Sequence, residues 1–569
     1  MKFLPCICTL IFLSSPVVEC FAQSTGCSDM LVIDPFVEPT GSTYVPVDSW
    51  IYSAVDRLHG LGYVDAAFLG MRPWTRLSIA KMLEETADKV VDVDEEDEAC
   101  TIFHSLQKEF KPDVERANVS RKPHVQPESV YTRLNGITGT PLRDSFHLGQ
   151  TILNDYGRPY AEGFNNVTGF SARGEAGRFS LYFRGEYQHA PGATGYSNAL
   201  STLLSNNDGI SFVASPNQAT IPSGPIPAAN DFRILEANVS YLLLNHEFSF
   251  GKSDHWLGPA QGGSFAWSNN AENIYAFQID RVEPLFVPLL SKLTGPFRYQ
   301  FFVGSLKGHS NPNDPWIHVE KVSFKPTENL EFGFERSVIW GGKGHVPITI
   351  HSFLKSFFSF QNVPDSEKFS RNDPGARFGT FDFSYRLPFV RNWLTLYSDS
   401  LAHDDVSPIS APRRAGIRPG IYLSHFPGVK QLDFRVEAAS TDPPTSRSNG
   451  GQFLYAETIQ KQGYTNKGFI MGDWIGRESK GGQAWLTYHL SPEEQVQISY
   501  RNAKAAKDFI PGGTTQNSFQ ISTIKRIQKD FEVRAWLQYE QWKAPVYKTG
   551  GQSDTSIAVE FTWFPDRKR

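Results

Sequence analysis

The feature that most constrains the fold is a two-residue alternation of apolar and polar side chains from about residue 128 to the C-terminus. In "LDFRVEA", residues 432–438, three apolar side chains alternate with three charged ones, and "QVQISYR" and "RAWLQYE" follow the same pattern. About 18 to 20 segments of roughly 8–12 residues alternate in this way. Strands of this length, apolar on one face only, fit a tilted crossing of a lipid bilayer.

The connections between these segments fall into two classes. Turns such as "KPTEN", "FPGVK", "SPEEQ" and "QKD" are short, whereas the polar loops at 191–231, 253–272, 340–375, 401–416 and 503–516 are long. Short turns at one end and long loops at the other are typical of a membrane barrel. A soluble sandwich need not segregate its loops, and a propeller would repeat at a fixed period. The pattern predicts a mainly β protein, with a transmembrane antiparallel β-barrel of about 18 strands over residues 128–569.

The N-terminus indicates export. Residues 1–22 combine an early Lys2, an apolar middle and Ala22, which predicts a secretory signal peptide cut before Gln23. A lipoprotein site at Cys20 is disfavoured, because Glu19 stands where a small residue is needed. No apolar run in the remaining chain approaches the roughly 18 residues of a membrane helix. The net charge of −5 offers no basic field for nucleic acid. We expect the cell outer membrane as the location.

Residues 46–111 are helical in pattern and predict a small bundle of three helices within a segment 23–127 that also contains a linker at 112–127. Asp48 is the expected N-cap of the first helix, Gly60 or Gly62 its end, and Thr75 precedes the second helix. The apolar stripes run through Ile51, Val55, Leu58 and Leu61, through Ile79, Met82, Leu83 and Val90, and through Ile102, Phe103, Leu106 and Phe110.

Two cysteines remain once the signal peptide is removed. The two that remain, Cys27 and Cys100, are even in number and lie in an oxidising compartment, so a disulfide between them is predicted. Two unpaired buried thiols are the alternative.

The stretches "VPVDSWIYSAVDRLHGLGY" and "FLGMRPWTRLSIAKML", followed by "GKSDHWLGPAQGGSFAWSNNAEN" at 251–273, resemble the Wzi-type capsule assembly family. That resemblance implies an 18-stranded outer-membrane barrel, closed near its periplasmic end by the helices, and a lectin that holds capsular polysaccharide at the cell surface. The helical stretch also resembles an S-layer homology repeat, but such repeats usually come in threes and only one is visible.

The glycine-rich segment 251–273 holds the first candidate site. Asp254, His255, Trp256, Asn269 and Asn270 combine aromatic faces with amide and carboxylate groups, which sugar sites use against ring C–H groups and hydroxyls. The alternative is that the tryptophans belong to an interfacial aromatic girdle and the asparagines form turns.

Two further residues are candidates for polysaccharide binding. Arg281 is expected to face the lumen toward an acidic polymer, or else to pair with Glu272 or Asp280. Trp340 lies in "SVIWGGKGH", where it could contact sugar. The glycines there do not form a phosphate loop, because no Ser or Thr follows Lys343.

The predicted function is non-covalent attachment of capsular polysaccharide or exopolysaccharide through extracellular loops, by many weak contacts along a repeating polymer. The expected partners are that polymer and outer-membrane lipid, and a monomer is expected. No cofactor, metal site or catalytic motif is indicated. A porin or polysaccharide-export channel with an open lumen is the first alternative, and a barrel glycosidase or deacylase is the second.

Overall fold

A computed structural model describes residues 27, 32–33, 38–119, 122–360, 363–404, 408–443, 454–528 and 530–565; the predicted signal peptide lies outside these residues. Eighteen long antiparallel strands form one sheet. They are β1 (His124–Gly139), β2 (Gly163–Ala176), β3 (Phe179–Ala190), β4 (Ala229–Leu243), β5 (His246–Lys252), β6 (Tyr275–Arg281), β7 (Phe297–Ser305), β8 (Trp316–Thr327), β9 (Leu330–Trp340), β10 (Ala376–Arg386), β11 (Leu394–His403), β12 (Gly416–Leu423), β13 (Leu432–Ser440), β14 (Ser479–Ser491), β15 (Glu494–Ala505), β16 (Thr514–Gln528), β17 (Phe531–Ala544) and β18 (Lys548–Trp563).

The sheet closes on itself. Each strand pairs with the next in sequence, and β18 returns to pair with β1, with Val130 opposite Trp563 and Gly139 opposite Asp554. Closure leaves no unpaired edge, which is the condition for a sheet to stand in lipid. The predicted antiparallel barrel of about 18 strands is confirmed.

The alternation in each strand sorts its side chains between the two faces of the wall. In β18, Ile557 and Trp563 are exposed on the outer face, whereas Ser556, Ala558 and Glu560 are buried inside. The barrel therefore has an apolar exterior and a largely polar lining, the reverse of a soluble protein and the arrangement that a bilayer requires.

Three helices precede the barrel: α1 (Trp50–Gly60), α2 (Arg76–Val90) and α3 (Glu98–Val119). The predicted apolar stripes form their shared core, apart from the partly buried Leu61. Thr75 caps α2 as expected, but the N-cap of α1 is Ser49, whose hydroxyl accepts from the Ile51 amide. The predicted cap, Asp48, instead pairs with Arg184 of β3 at 2.8 Å. Asp48 does not cap the helix because its carboxylate binds Arg184, and the neighbouring Ser49 caps the helix instead.

Helix α3 continues through Pro112 into the segment predicted as a linker, and β1 begins at His124. A proline inside a helix costs about 3 kcal/mol. The turn that follows it is anchored by Asp113, which is buried and accepts from Arg76 at 3.0 Å, Arg116 at 2.8 Å and Arg173 at 2.6 Å. The bonds from Arg76 and Arg173 join distant parts of the chain and offset the local cost, and sequence periodicity does not reveal them.

A disulfide joins Cys27 to Cys100 at the start of α3, with the Cα atoms 5.8 Å apart. Both cysteines are fully buried in the helical core. The bond closes a loop of 73 residues around the first two helices.

The helical bundle sits at the end of the barrel that carries the short turns. Arg57 donates to the carbonyl of Lys430 in the turn after β12 at 2.6 Å. Arg386 donates to the carbonyl of His59 at 3.0 Å. In membrane barrels the short turns are periplasmic and the long loops extracellular, so the bundle closes the periplasmic end.

Shorter elements lie in the connections. The helices are α4 (Asn198–Asp208), α5 (Leu290–Thr294), α6 (Ile350–Phe357) and α7 (Asp365–Lys368), with 3₁₀ turns at Pro388–Val390 and Pro412–Arg414. Two-residue strands are Arg143–Asp144, Gly149–Gln150, Ala193–Thr194, Pro225–Ile226, Thr465–Asn466 and Phe469–Ile470. Among the described residues, no helix is long and apolar enough to cross a membrane.

Candidate functional site: the filled lumen and the loop surface above it

Three extracellular connections fold back into the barrel and fill it. Side chains from 140–162, 253–274 and 454–478 form one apolar core with inward-facing residues of the wall. The wall contributes Phe302, Ile317, Val319, Ile339, Phe378 and Leu401, and the loops contribute Phe146, Phe265, Trp267, Tyr464, Met471 and Trp474. In the part of the barrel that contains this core, the loops pack directly against the wall, as in the interior of a soluble domain.

A buried ion cluster fixes one of these loops to the wall. Arg418 of β12 donates to both carboxylate oxygens of Asp473, at 2.5 and 2.7 Å, and to Glu437 of β13 at 2.9 Å. All three side chains are fully buried. Asp473 also accepts from the amide of Ile475 at 2.9 Å. Because a buried charge is tolerated only when it is paired, this cluster ties the loop 454–478 to the lumen.

The glycine-rich loop after β5 is held by carboxylates of the wall. Glu437 accepts from the amides of Gln261 at 2.7 Å and Gly262 at 3.0 Å. Asp399 accepts from the amide of Phe265 at 2.7 Å. A Cβ at Gly262 would lie 2.8 Å from Glu437 and 2.9 Å from Arg418. The glycine is therefore needed for close approach of the backbone to this charged wall.

The helical segment meets the same loop from the periplasmic side. The backbones of Arg72 and Trp256 exchange two hydrogen bonds, at 3.0 and 2.9 Å. The amides of Leu69 and Gly70 donate to Glu331 of β9 at 2.8 and 3.0 Å. The two sequence stretches behind the family resemblance, around "RPW" and "DHW", are thus joined in the middle of the lumen.

The structure places the five candidates in 251–273 together in the plug, and all five are buried. Asp254 accepts from Val47 and Tyr156, both at 3.0 Å, and from Asn273 at 2.6 Å. The indole of Trp256 donates to the carbonyl of Ala260 at 3.0 Å. These contacts are structural, within this loop and between it and neighbouring segments.

The other candidates of this loop are equally enclosed. His255 stacks on Phe302 with ring centroids 4.1 Å apart. Asn270 donates to the carbonyl of Ile470 at 3.0 Å, and the carbonyl of Asn269 accepts from the amide of Tyr156 at 2.7 Å. Polymer could reach these side chains only if the loop left the lumen.

Arg281 and Trp340 lie apart from that group. Arg281 is at the periplasmic end of β6, where it donates to the carbonyls of Glu283 at 2.9 Å and Leu244 at 2.8 Å. It shares the outer face with Tyr275 and Phe277, so the expectation of a lumenal position is wrong. Successive side chains of β6 alternate between the two faces of the wall, and Arg281 falls on the outer face. The prediction failed because the boundary of a short strand is hard to fix from sequence. Trp340 is buried at the outer rim, 5.8 Å from Phe353.

A charged histidine links two of the extracellular connections. His147 lies 3.0 Å from Asp144 and 2.9 Å from Asp208 of α4. Burial lowers the pKa of His147, but the two carboxylates outweigh burial and raise it to about 9. Asp208 also accepts from Arg477 at 2.8 Å. The imidazolium is therefore part of a buried network that joins 140–150, α4 and the end of the loop 454–478.

Above the plug, three connections meet at the surface that faces the cell exterior. Lys307, Lys343, Lys461 and Lys467 are here called the lysine surface. Lys307 and Lys343 pair with Asp314 at 3.2 and 2.8 Å, and Lys467 pairs with Glu272 at 2.7 Å. The backbone amides of Lys461 and Lys343 donate to the carbonyls of Asn311 and Asn313, which joins the connections. The side chains of Lys307, Lys343 and Lys467 are 52%, 77% and 43% exposed. The sequence did not single out this surface, because its parts lie in 306–315, 341–345 and 461–467 and only the fold brings them together.

The periplasmic end contains a cleft of about 1500 Å³ between α3 and the wall. Its charged lining includes Arg173, Arg184, Arg526 and Arg534, together with Glu128, Glu493, Glu532 and Glu560. Among the described residues, His403, Asp404 and Glu457 bring one potential metal-ligand atom each within 4.8 Å of one another.

The closed sheet, the apolar exterior and the segregated loops define an outer-membrane β-barrel, and the inward loops with the helical bundle make it a plugged one. The sequence model of the family described as capsule assembly protein Wzi matches residues 133–557, most of the barrel. The chain belongs to this family of outer-membrane proteins.

Two known proteins are similar to this chain. An uncharacterised 55.8 kDa protein from the cps region of Klebsiella pneumoniae is 26% identical over 199 residues, which span 35% of this chain and 38% of that relative. The structure of Wzi from Escherichia coli, a carbohydrate-binding outer-membrane β-barrel involved in group 1 capsule assembly, is similar with a TM-score of 0.65. That likeness covers 92% of this chain and 99% of the other at 17% identity, and it concerns the fold.

Proposed function

We propose that this protein attaches capsular polysaccharide or exopolysaccharide to the outer surface of the cell without covalent chemistry. The observation that carries the proposal is the packed core that the inward loops form with the wall. A channel would need that space, whereas an attachment protein needs only a rigid loop surface. Membership of the capsule assembly family supports the same function.

The lysine surface is the part of the protein that we propose for polymer contact. Ammonium groups, amides and a carboxylate can bind the carboxylates and hydroxyls of a polysaccharide. Each contact is weak, and a repeating polymer would gain its affinity from several contacts to one or more barrels.

The residues predicted from the sequence are proposed to act indirectly. Asp254 and Asn270 join segments of the plug through their side chains, and Trp256 does so through its backbone bonds to Arg72. Residues 461–467 of the lysine surface belong to one of these segments. Trp340 instead anchors the start of the loop 341–375 through its contact with Phe353, outside the plug. A rigid plug would hold the surface loops in one arrangement and so lower the entropic cost of binding. We further propose a monomer whose apolar exterior contacts outer-membrane lipid.

The experiment is binding of the nanodisc-reconstituted protein to polysaccharide extracted from its own host, with one double variant and one control. Lys307→Gln with Lys343→Gln removes two charges from the lysine surface. Lys525→Gln is the matched control, because Lys525 is also an exposed, ion-paired lysine but lies at the periplasmic end, 2.8 Å from Glu494.

We expect the double variant to bind the polymer several-fold more weakly than the wild type, while the control binds equally well. If the polymer is acidic, added salt should narrow this difference, since exposed charges are screened. Equal binding by all three proteins would place the contact elsewhere, and absence of binding by the wild type would contradict the proposed function.

A further inference from the structure

Helix α6 belongs to an extracellular connection, yet it packs against the outside of the barrel. Its side chains Phe353 and Phe357 contact Phe301 of β7, with ring centroids 6.2 and 6.1 Å apart. They also contact His318 of β8 at 5.6 and 5.8 Å. The neighbour of Phe301, Phe302, points into the lumenal core. Since successive side chains of a strand point to opposite faces, Phe301 is on the outer face.

Polar groups of the outer wall hold the helix in place. The guanidinium of Arg336 in β9 donates to the carbonyls of Ser356 at 3.0 Å, Phe357 at 2.8 Å and Ser359 at 2.7 Å. It also lies over the ring of Phe360. His318 contacts the hydroxyl of Ser356 at 2.9 Å. Arginine and histidine facing outward from a barrel wall would be costly in lipid, and the helix covers both.

The opposite face of the helix is apolar, and the described residues leave it largely exposed. Ile350, Leu354 and Phe358 are 80%, 45% and 65% exposed. Their spacing of four residues puts them on one stripe of the helix. The more polar His351 and Lys355 fall on a separate stripe. One apolar face of the helix therefore packs on the wall, and a second apolar face points away from the protein, where it can contact another apolar environment.

The height of the helix on the barrel identifies that environment. Arg336 lies four residues before Trp340, where β9 ends, so the C-terminal end of α6 lies about 13 Å along the strand from its extracellular end. Directly beneath it, the outward rings of Phe332 and Phe334 continue as an aromatic band with Phe324 and Phe381. The exposed stripe of α6 is thus continuous with the apolar exterior that the bilayer surrounds.

We propose that α6 is an interfacial helix whose Ile350, Leu354 and Phe358 insert between acyl chains of the outer leaflet, beside the barrel wall. Its amphipathic pattern is the one that lets a helix lie in the plane of a membrane interface. The part of the loop that contains α6 is then tethered beside the barrel, away from the lysine surface to which residues 341–345 belong.

The test uses single cysteines that carry an environment-sensitive fluorophore, in vesicles of phosphatidylcholine that contain spin-labelled phosphatidylcholine. Cys27 and Cys100 are bonded to each other, so an added cysteine is the free thiol of the described chain. Leu354→Cys reports on α6. Leu537→Cys, exposed on the outer face of β17, is the membrane reference, and Val213→Cys, exposed in an extracellular loop, is the aqueous reference.

We expect the label at position 354 to be quenched by a spin label near the lipid headgroup, and to emit at shorter wavelength than the label at 213. Iodide in the buffer should quench position 213 and spare positions 354 and 537. Quenching of position 354 by iodide alone would overturn the proposal. Protection of position 354 from both quenchers would also overturn it, because that result indicates a protein contact. Lipid quenching at 537 in every sample verifies that the barrel is folded in the membrane.

Discussion

The ion cluster of Arg418, Asp473 and Glu437 offers the most informative perturbation, because it ties the plug to the wall. Asp473→Ala would remove both hydrogen bonds that Arg418 makes to the loop and the acceptor of the Ile475 amide. The barrel strands themselves would lose no backbone hydrogen bond. We therefore expect the loop 454–478 to leave the lumen more often while the barrel stays intact.

The burial of the cluster sets the magnitude. Removing one partner from a buried ion pair costs roughly 3–5 kcal/mol, because a charge is left without compensation. Glu437 still lies 2.9 Å from Arg418, so we take the lower end, about 3 kcal/mol. At about 1.4 kcal/mol per factor of ten, opening of the loop should become on the order of a hundredfold more frequent.

Two assays on one preparation measure the opening. Trypsin cleavage after Arg477, whose side chain is fully buried, reports exposure of the loop, and conductance across a planar bilayer reports passage of ions. Lys480→Ala is the matched control, since it breaks an exposed pair with Asp442 on the same side of the barrel. An exposed pair contributes about 0–1 kcal/mol, so the control should resemble the wild type in both assays.

The reasoning would be refuted if Asp473→Ala and Lys480→Ala showed the same slow cleavage and the same absence of conductance. That outcome would mean that the apolar core holds the loop without the ion cluster. Loss of the folded barrel in Asp473→Ala, seen as loss of heat-modifiable migration on a gel, would also contradict the expectation that the wall is independent of the plug.

Three further predictions concern stability. Cys100→Ser should destabilise the helical bundle by about 4 kcal/mol in chemical denaturation, since the disulfide closes a long loop; an unchanged midpoint would contradict this. Thr75→Ala should cost about 1 kcal/mol in the same assay through loss of the cap of α2, and no loss would mean that the cap is dispensable. The pKa of His147 is about 9 in the folded protein, against 6.5 for an ordinary histidine. Protonation of His147 therefore stabilises the fold by up to about 3 kcal/mol below pH 6.5, and this contribution is lost as the pH rises through 9. His147→Asn should flatten this dependence of the melting temperature; an equally steep dependence would show that Asp144 and Asp208 do not hold the proton.

The barrel was predictable because the pattern that identifies its strands lies within each short stretch of sequence. Each strand alternates with a period of two, and residues such as Ile557 and Glu560 reveal the two faces of the wall without knowledge of their neighbours. The apolar stripes of the helices were predictable for the same reason. A closed barrel was predicted from the length of these segments and from the separation of short turns and long loops at its two ends.

The plug was not predictable in the same way. The loop 253–272 is polar and rich in glycine, which is the composition of an exposed loop, and its residues were therefore taken as accessible. Its polar groups are instead satisfied by carboxylates of the wall, such as Glu437 and Asp399, that are distant in sequence. The tryptophans of this loop are core residues, and only long-range contacts distinguish a core tryptophan from one that contacts sugar.

The position of α6 illustrates a similar limit. Residues 340–375 were predicted only as a long extracellular loop, with no helix inside it. The helix is stabilised by Arg336 and by the rings of Phe301 and His318, which come from three different strands. Short helices depend on such tertiary contacts, because an isolated helix of this length is not stable in water.

The most direct test of the central claim is to delete the gene in its own host and measure where the polysaccharide goes. If the protein attaches polymer at the surface, total polymer outside the outer membrane should be unchanged, but most of it should be released into the medium. Complementation with the wild type should restore the cell-bound fraction. If the polymer instead accumulates in the periplasm, the protein exports it, and the account of a plugged attachment barrel is contradicted.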